Sequence, residues 1–369
     1  MKRKFVRFVA LAAVLALGAV ACSDDDSGDT SAETTEAVTT ETTGDAGGPT
    51  SAAAAADALP AVPAKTIGIV NVTGTSEVST QLLDAFEQAA KVLGWTLIVK
   101  DGDPTPQRWA DSVNQLITEN VDALLIPLIP AEALGPSLAD ARAAGIPILS
   151  LGVPIGTEDG KALVDADYAD DFPTMGVALA KWVIAKYGSD AQAVAQRATI
   201  SPGADSGVLA FVDTLEAAGG TLLDSKDLDS ANLVTSYTQN AIDMLQANPD
   251  ADVLMECCDS SVTFVLPALA QIERTDVPML TIYDNPSTIQ AMQRGANLVI
   301  AAANTSRTTL QAFDVLLDYF VNGTAIPFSY PNDKFDVTVI TETTGEPVYP
   351  FGPMLDSFVK KWSSEYALP

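Results

Sequence analysis

Residues 120–152, "NVDALLIPLIPAEALGPSLADARAAGIPILSLG", decide the fold that we expect for this chain. Two short runs within it, DALLIPL and IPILSLG, are apolar along almost their whole length, and the segment EALGPSLADARAAG lies between them. Strands that are apolar on both faces are typical of a parallel sheet that helices cover on both sides. The stretch therefore predicts a strand–helix–strand unit of an α/β protein.

The same alternation continues on both sides of this unit. Upstream, the pattern predicts the strands TIGIVNV and TLIVKD, separated by a helix that ends at Gly94. Downstream, a second round of helices and strands includes the predicted strands ATIS (198–201), DVLMEC and NLVIAAA. Two such units in tandem predict an α/β protein of two Rossmann-like lobes with parallel sheets. Because open α/β sheets bind ligands beyond the carboxyl ends of their strands, we expect a ligand cleft between the lobes, closed by a hinge motion as in a clamshell.

The N-terminal segment predicts export. Residues 1–21 have four basic residues, an apolar run and then small residues, which is the pattern of a secretion signal peptide. Cys22 follows directly and resembles the lipobox cysteine of bacterial lipoproteins, which becomes a lipidated N-terminus; an ordinary secretory signal is the alternative. The next segment, to residue 64, has nine acids, no base and no aromatic residue, so we expect residues 22–64 to form a disordered acidic tether. These features predict an extracytoplasmic protein that a lipid anchor holds to the cell membrane.

Composition excludes several classes of function. The chain has no histidine, which excludes Ser-His-Asp and Cys-His catalysis and histidine-based zinc sites. No Walker loop, G-x-S-x-G or G-x-G-x-x-G motif is present. Loss of the signal would remove four of the 20 basic residues and leave 16 against 48 acids, a net charge of −32. We therefore expect no enzyme, no cofactor, no bound metal and no nucleic-acid partner.

Five segments of the chain carry a resemblance: ENVDALLIPL, AAGIPILSLG, LVDADYADDFPTMGVALAKW, NPDADVLMECCD and DVPMLTIYDNPSTIQAMQRG. In order and spacing they resemble the type I periplasmic binding protein family, especially its ribose-binding-like branch. The resemblance covers about residues 65–330. It implies a solute-binding lipoprotein, expected to be a monomer, whose lobes close over one small solute and deliver it to an ABC-type permease. A ligand-sensing receptor of the same fold, which signals to a membrane sensor, is the alternative.

The resemblance also implies lobe boundaries and ligand-binding residues. It assigns 65–166 and about 305–328 to the N-terminal lobe, and 167–304 and about 329–369 to the C-terminal lobe. Asp284 and Asn304 match ligand-binding positions of the family, and Asp167 and Tyr168 fall at its first crossover; helix capping is the alternative for Asp167 and Asp284. The candidate ligand-binding residues are Thr73, Thr75, Ser76, Glu77, Asp167, Tyr168, Asp205, Asn232, Cys257, Cys258, Asp259, Asp284 and Asn304.

Departures from the family pattern bear on the ligand. Gly152 and Val153 stand where sugar binders often have Asp-Arg, and Pro127 stands where they have Asn. Since no arginine occupies a matched position, we rank anionic solutes low. Sugars or polyols come first, and a neutral or cationic non-sugar molecule comes second.

The adjacent cysteines Cys257 and Cys258 leave two interpretations open. Without histidine or further nearby cysteines a zinc site is excluded, and the spacing is not that of a C-x-x-C redox motif. The pair is either two small thiols packed at the end of a strand or a vicinal disulfide that forms a rigid apolar platform for the ligand. Export favours oxidation, whereas the short distance between adjacent Cα atoms opposes an unstrained bridge.

Overall fold

A computed structural model describes residues 58–73, 77–101, 105–199, 201–229, 232–257, 259–342, 345 and 348–369. The predicted signal peptide, Cys22 and nearly all of the predicted tether lie outside these residues. Among the residues that the structure describes, none of the helices combines the length and the apolar character needed to cross a membrane.

The first lobe is built on a five-stranded parallel sheet in the order β2-β1-β3-β4-β5. Strands β3 and β4 are buried along their whole length, as the apolar runs at residues 122–128 and 146–152 predict. The elements are β1 Thr66–Asn71, α1 Glu77–Leu93, β2 Thr96–Asp101, α2 Pro106–Thr118, β3 Ala123–Pro127, α3 Gly135–Ala143, β4 Ile148–Gly152, α4 Glu158–Lys161 and β5 Ala166–Ala169.

The second lobe contains a six-stranded sheet in the order β11-β10-β9-β8-β6-β7, parallel except for β11, which runs antiparallel to β10. Helices alternate with its parallel strands along the chain, so the predicted α/β fold class is confirmed. The elements from the first crossover onward are α5 Phe172–Tyr187, β6 Gln192–Arg197, α6 Pro202–Ala217, β7 Thr221–Asp227, α7 Leu233–Ala247, β8 Val253–Met255, α8 Val262–Gln271, β9 Met279–Ile282, α9 Pro286–Gln293, β10 Leu298–Ala303, α10 Ser306–Asn322, β11 Val337–Ile340 and α11 Phe351–Glu365.

The first strand of the second lobe lies earlier than predicted. The prediction placed it at residues 198–201, whereas β6 spans Gln192–Arg197 and Ala198 begins the following loop. The polar residues Gln196 and Arg197 hid this strand in the sequence. Gln196 is nevertheless fully buried, because its amide donates to the carbonyl of Tyr237 and to Oε1 of Glu256, each at 2.8 Å.

The chain crosses between the lobes more often than the sequence indicated. Helix α10 packs on the first lobe, β11 returns to the second sheet, and α11 crosses back to the first lobe. Trp362 on α11 is completely buried in the first lobe's core, and its indole N–H donates to Asp314 on α10 at 2.8 Å. The prediction that residues 329–369 belong to the second lobe is thus wrong for α11, which packs on the first lobe. The second boundary also shifts, since residues 167–169 belong to β5 of the first sheet.

Candidate ligand-binding site

The two lobes touch at two places. At the first, Oε2 of Glu77 in the first lobe accepts a hydrogen bond from the backbone N–H of Ser287 in the second, at 3.0 Å. At the second, the loop after β4 meets the start of α6, and a Cβ placed on Gly203 would lie 2.0 Å from the carbonyl oxygen of Pro154. The structure therefore shows the lobes in a closed arrangement.

A cavity of about 440 Å³ lies between α1 of the first lobe and α9 of the second. The ends of β9 and β10 form its floor, where ligands bind in open α/β sheets. Residues near the carboxyl end of the chain complete the wall. The cavity is lined by Val78, Gln81, Asp84, Ala85, Gln88, Tyr283, Asp284, Asn285, Pro286, Ile289, Gln290, Gln293, Ala303, Asn304, Thr305, Ser306, Gly345, Tyr349 and Phe351.

Two of the predicted ligand-binding residues, Asp284 and Asn304, lie together in this cavity. Asp284 follows β9, and its Oδ2 accepts from the backbone N–H of Val348 at 3.1 Å. Burial raises the pKa of the Asp284 carboxyl above its ordinary value, while the bond from Val348 opposes that rise. Asn304 follows β10, and its Nδ2 lies 3.1 Å from Sδ of Met354. The C-terminal segment therefore holds both side chains at the cavity wall.

The chemistry of the lining is that of amides, hydroxyls and carboxylates. Six lining side chains carry an amide and two, Asp84 and Asp284, carry a carboxylate, while no lysine or arginine is among the described residues of the lining. Amides both donate and accept hydrogen bonds, and carboxylates accept them, which together suits a ligand rich in hydroxyl groups. A ligand anion would meet two carboxylates without a compensating cation.

Sequence reasoning missed the contribution of α1 to this wall. Gln81, Asp84 and Gln88 recur at spacings of three and four residues, so they share one face of the helix. Such a polar stripe opposite a buried apolar face is the usual pattern of a solvated helix surface. Only the position of the second lobe turns it into a cavity wall, and the sequence carries no separate signal for that.

A buried carboxylate at the crossover between the lobes, Asp170, was also missed. Its Oδ2 accepts from the hydroxyls of Tyr283 at 3.1 Å and Thr305 at 2.8 Å, and its Oδ1 lies 3.5 Å from a guanidinium nitrogen of Arg307. Arg307 also donates to Asp333 at 3.0 Å, so the cluster joins three of the connections between the lobes: those that follow β5 and β10, and the one that precedes β11. Complete burial raises the pKa of Asp170 to about 6, although Arg307 and both hydroxyls favour the ionised form.

The predicted crossover pair, Asp167 and Tyr168, lies inside β5 and not at the crossover. Oδ2 of Asp167 accepts from the backbone N–H of Ile155 at 3.1 Å, and burial raises the pKa of this carboxyl to about 6. Tyr168 is buried in the first lobe's core and donates its hydroxyl to the carbonyl of Pro327 at 2.9 Å. Neither residue lines the cavity.

Asp259 supports the site from behind. Its carboxylate accepts from the backbone N–H of Asn285 at 3.2 Å, from the amide of Asn285 at 2.9 Å and from the hydroxyl of Thr288 at 3.1 Å. These bonds fix the start of α9, although Asp259 itself does not line the cavity. Its position predicts an indirect effect on binding, through the orientation of Asn285.

The remaining predicted residues either lie away from the cavity or fall outside the residues that the structure describes. Asp205 is buried in a two-pronged ion pair with Arg197, and Asn232 is exposed, with its amide 3.0 Å from Asp229. Thr73 is half-buried just beyond the end of β1. Thr75, Ser76 and Cys258 lie outside the described residues.

Cys257 follows β8 and is buried, with its sulfur 3.4 Å from the hydroxyl oxygen of Tyr237. Because its neighbour Cys258 is not described, both interpretations of the cysteine pair stay open. In the part of the chain that the structure describes, no group of three or more Cys, Asp or Glu side chains is arranged to hold a metal ion.

Comparisons with known proteins agree with this architecture. The family model described as a periplasmic binding protein domain matches residues 67–324. A xylitol-binding protein of Mycolicibacterium smegmatis is 30% identical over 103 residues, which are 28% of this chain and 29% of that protein. A ribose import binding protein of Bacillus subtilis is 29% identical over 127 residues, which are 34% of this chain and 40% of that protein. The matched segments thus span less than half of either relative.

Solved structures show the same fold. The crystal structure of a galactofuranose-binding protein superposes with a TM-score of 0.67, covering 82% of this chain and 99% of that one. At 18% sequence identity this likeness concerns the fold alone. The superposition covers 82% of this chain, which is more than the segment 67–324 that the family model matches.

Proposed function

Because the chain belongs to the periplasmic binding protein family, in its type I, ribose-binding-like branch, we propose that it is an extracytoplasmic solute-binding protein for a sugar or polyol. One solute molecule binds between the lobes, the lobes close over it, and the protein delivers it to an ABC-type importer. The protein acts as a monomer without chemical turnover, and a lipid on Cys22 anchors it to the cell membrane.

The observation that carries the proposal is the lining of the cavity between α1 and α9. Its amides, hydroxyls and two carboxylates offer many hydrogen-bonding groups to a small neutral molecule that bears several hydroxyls. A volume of about 440 Å³ lies within the range of small-molecule sites. The names of the two relatives, one a xylitol-binding and one a ribose import protein, support the same class of solute.

A cationic solute is the second candidate, and one observation favours it. Asp84 comes from the first lobe and Asp284 from the second, so an ammonium group held between them would be attracted from both sides. Asp284 is the more buried of the two, and burial raises the pKa of its carboxyl. An ammonium ligand would favour the ionised form of this carboxyl.

A thermal-shift screen of the full chain tests the proposal. The panel contains neutral polyols and sugars such as xylitol and ribose, the corresponding sugar acids, and small amines. A solute that binds only the folded protein, at about 100 times its Kd, stabilises it by about 2.7 kcal/mol. We expect neutral polyols or sugars to raise the unfolding temperature and the acids to leave it unchanged. A shift caused by the acids alone would contradict the proposal.

Two variants on α1 place the bound solute. Asp84→Ala removes a carboxylate from the cavity wall, whereas Glu87→Ala removes one from the exposed surface of the same helix, outside the lining. We expect Asp84→Ala to weaken solute binding in a calorimetric titration and Glu87→Ala to leave the Kd unchanged. Equal effects of the two variants would place the solute elsewhere. The solute recovered from the complex should be chemically unaltered by NMR, and a new product would instead indicate an enzyme.

A further inference from the structure

Helix α9 has no capping hydrogen bond from the residue that precedes it. Asn285 stands at that position, but its side-chain amide is donated to Asp259, and it makes no capping bond to the helix. The first four N–H groups of a helix have no acceptor within the helix itself. Ser287, the second residue of α9, carries one of them.

The acceptor for this N–H comes from the other lobe. Oε2 of Glu77, the first residue of α1, lies 3.0 Å from the nitrogen of Ser287, a residue 210 positions further along the chain. A carboxylate at a helix N-terminus is stabilised both by the charge-assisted hydrogen bond and by the helix dipole. Because the two partners belong to different lobes, the bond forms only when the lobes meet.

Glu77 is not one of the residues that line the cavity between α1 and α9. Its neighbours on the helix, Val78 and Gln81, do line it, so Glu77 lies just outside, at the rim where the lobes touch. At the second contact between the lobes, Pro154 and Gly203 approach so closely that only a glycine fits. The closed arrangement thus has direct contacts between the lobes at two places, independent of any solute.

From these contacts we infer that Glu77 is a closure residue: it holds the lobes together by capping α9 and does not contact the solute. This inference rests on the proposed function, in which closure accompanies binding. If closure and binding are coupled, a contact present only in the closed state contributes the same factor to the affinity of every solute that permits closure. A residue that touched the solute would instead change the affinities of different solutes by different factors.

The test uses three variants of the full chain: Glu77→Ala, Glu77→Gln and Glu87→Ala. The glutamine keeps an acceptor oxygen without the charge, and the last variant removes a surface carboxylate from the same helix. Binding of xylitol and of ribose is measured by calorimetry. We expect Glu77→Ala to weaken the binding of both solutes by the same factor of about two to five. Glu77→Gln should give a smaller loss of affinity, and Glu87→Ala should give none. If the affinity for one solute fell much more than the affinity for the other, the inference would be overturned, because unequal losses would indicate that Glu77 contacts the solute directly.

Hydrogen exchange at the Ser287 amide provides a second readout that does not require a comparison of affinities. Overlapping peptides resolve this amide in the full chain saturated with solute, the state in which the lobes meet. We expect faster exchange at Ser287 in Glu77→Ala than in the wild type, and an unchanged rate in Glu87→Ala. An unchanged rate in saturated Glu77→Ala would refute the capping bond. If neither xylitol nor ribose binds, their choice as solutes fails, and the same comparison is made with a solute that raises the unfolding temperature of the wild type.

Discussion

Replacement of Gly203 by alanine should block closure of the lobes without damaging the fold. Gly203 is the second residue of α6, and an added Cβ would lie 2.0 Å from the carbonyl oxygen of Pro154 and 3.1 Å from its carbonyl carbon. Non-bonded contacts are optimal near 3.5 Å, so the two backbones would have to separate by roughly 1.5 Å. Because the backbones belong to different lobes, a slight opening of the cleft relieves the clash.

The size of the effect follows from the cost of overpacking. Inserting a methyl group into a closely packed contact typically costs about 1–3 kcal/mol. If only the closed state pays this cost, the solute should bind about 5- to 150-fold more weakly. The open protein has no clash, and alanine is a better helix former than glycine, so the unfolding temperature without solute should stay the same or rise slightly.

Gly352→Ala is the matched control for this substitution. Gly352 is likewise the second residue of a helix, α11, and a Cβ placed there would meet no atom within 4 Å. Calorimetric titration gives the Kd of each variant, and differential scanning calorimetry gives its unfolding temperature. An unchanged Kd in Gly203→Ala would refute the closure argument. A large fall in its unfolding temperature without solute would show that the contact is permanent and not part of a moving interface.

Three further substitutions test the packing and the buried charges. Asp314→Ala removes the acceptor that joins α11 to α10 and should lower the free energy of unfolding by about 2–3 kcal/mol in urea titrations, whereas the exposed Asp356→Ala on α11 should have almost no effect. Gly176→Ala places a Cβ 1.9 Å from the carbonyl oxygen of Gly207 within one lobe, so it should destabilise the protein by about 2–3 kcal/mol with or without solute; an unchanged urea midpoint would contradict the close helix packing. The folded-state pKa of Asp170 is raised from 3.8 to about 6, so its contribution to stability is fully present below about pH 4 and is lost as the pH rises through 6. Asp170→Asn should therefore flatten the fall in unfolding temperature between about pH 4 and pH 7, and an identical pH profile would refute the assignment.

The strands of the sheets can be predicted because a strand buried on both faces consists of consecutive apolar residues. Strands such as β3 and β4 contain almost nothing but apolar side chains, so their position and their parallel pairing follow from composition alone. Strand β6 escaped this reasoning, since its buried Gln196 finds partners that are distant in the sequence. A polar residue whose partners come from other elements cannot be distinguished locally from a loop residue.

The sequence of a helix likewise does not show which lobe the helix packs on. Helix α11 has an apolar face that includes Trp362, but that face gives no indication whether it packs on the first or the second lobe. Its hydrogen bond to Asp314, 48 residues earlier, decides the matter. The lobe on which α11 packs therefore could not be predicted from its sequence.

Some residues of the candidate site could likewise be predicted from the sequence, and others could not. Asp284 and Asn304 could be placed at the candidate site because they lie within two residues of the end of an apolar strand, and ligands bind beyond the carboxyl ends of parallel strands. Asp170 could not be distinguished from Asp167, since four aspartates crowd residues 165–171 and only the register of β5 decides which of them is buried at the crossover. The polar wall from α1 depends on closure and appears only when both lobes are present.

Small-angle X-ray scattering of the full chain, with and without a saturating neutral polyol or sugar that raises its unfolding temperature, tests whether solute binding closes the lobes. We expect the solute to bind in a one-to-one ratio and to lower the radius of gyration, because the lobes close over the cavity between α1 and α9. The same solute should produce a smaller decrease in Gly203→Ala. If a solute binds one-to-one while the radius of gyration of the wild type stays unchanged, binding does not close the lobes.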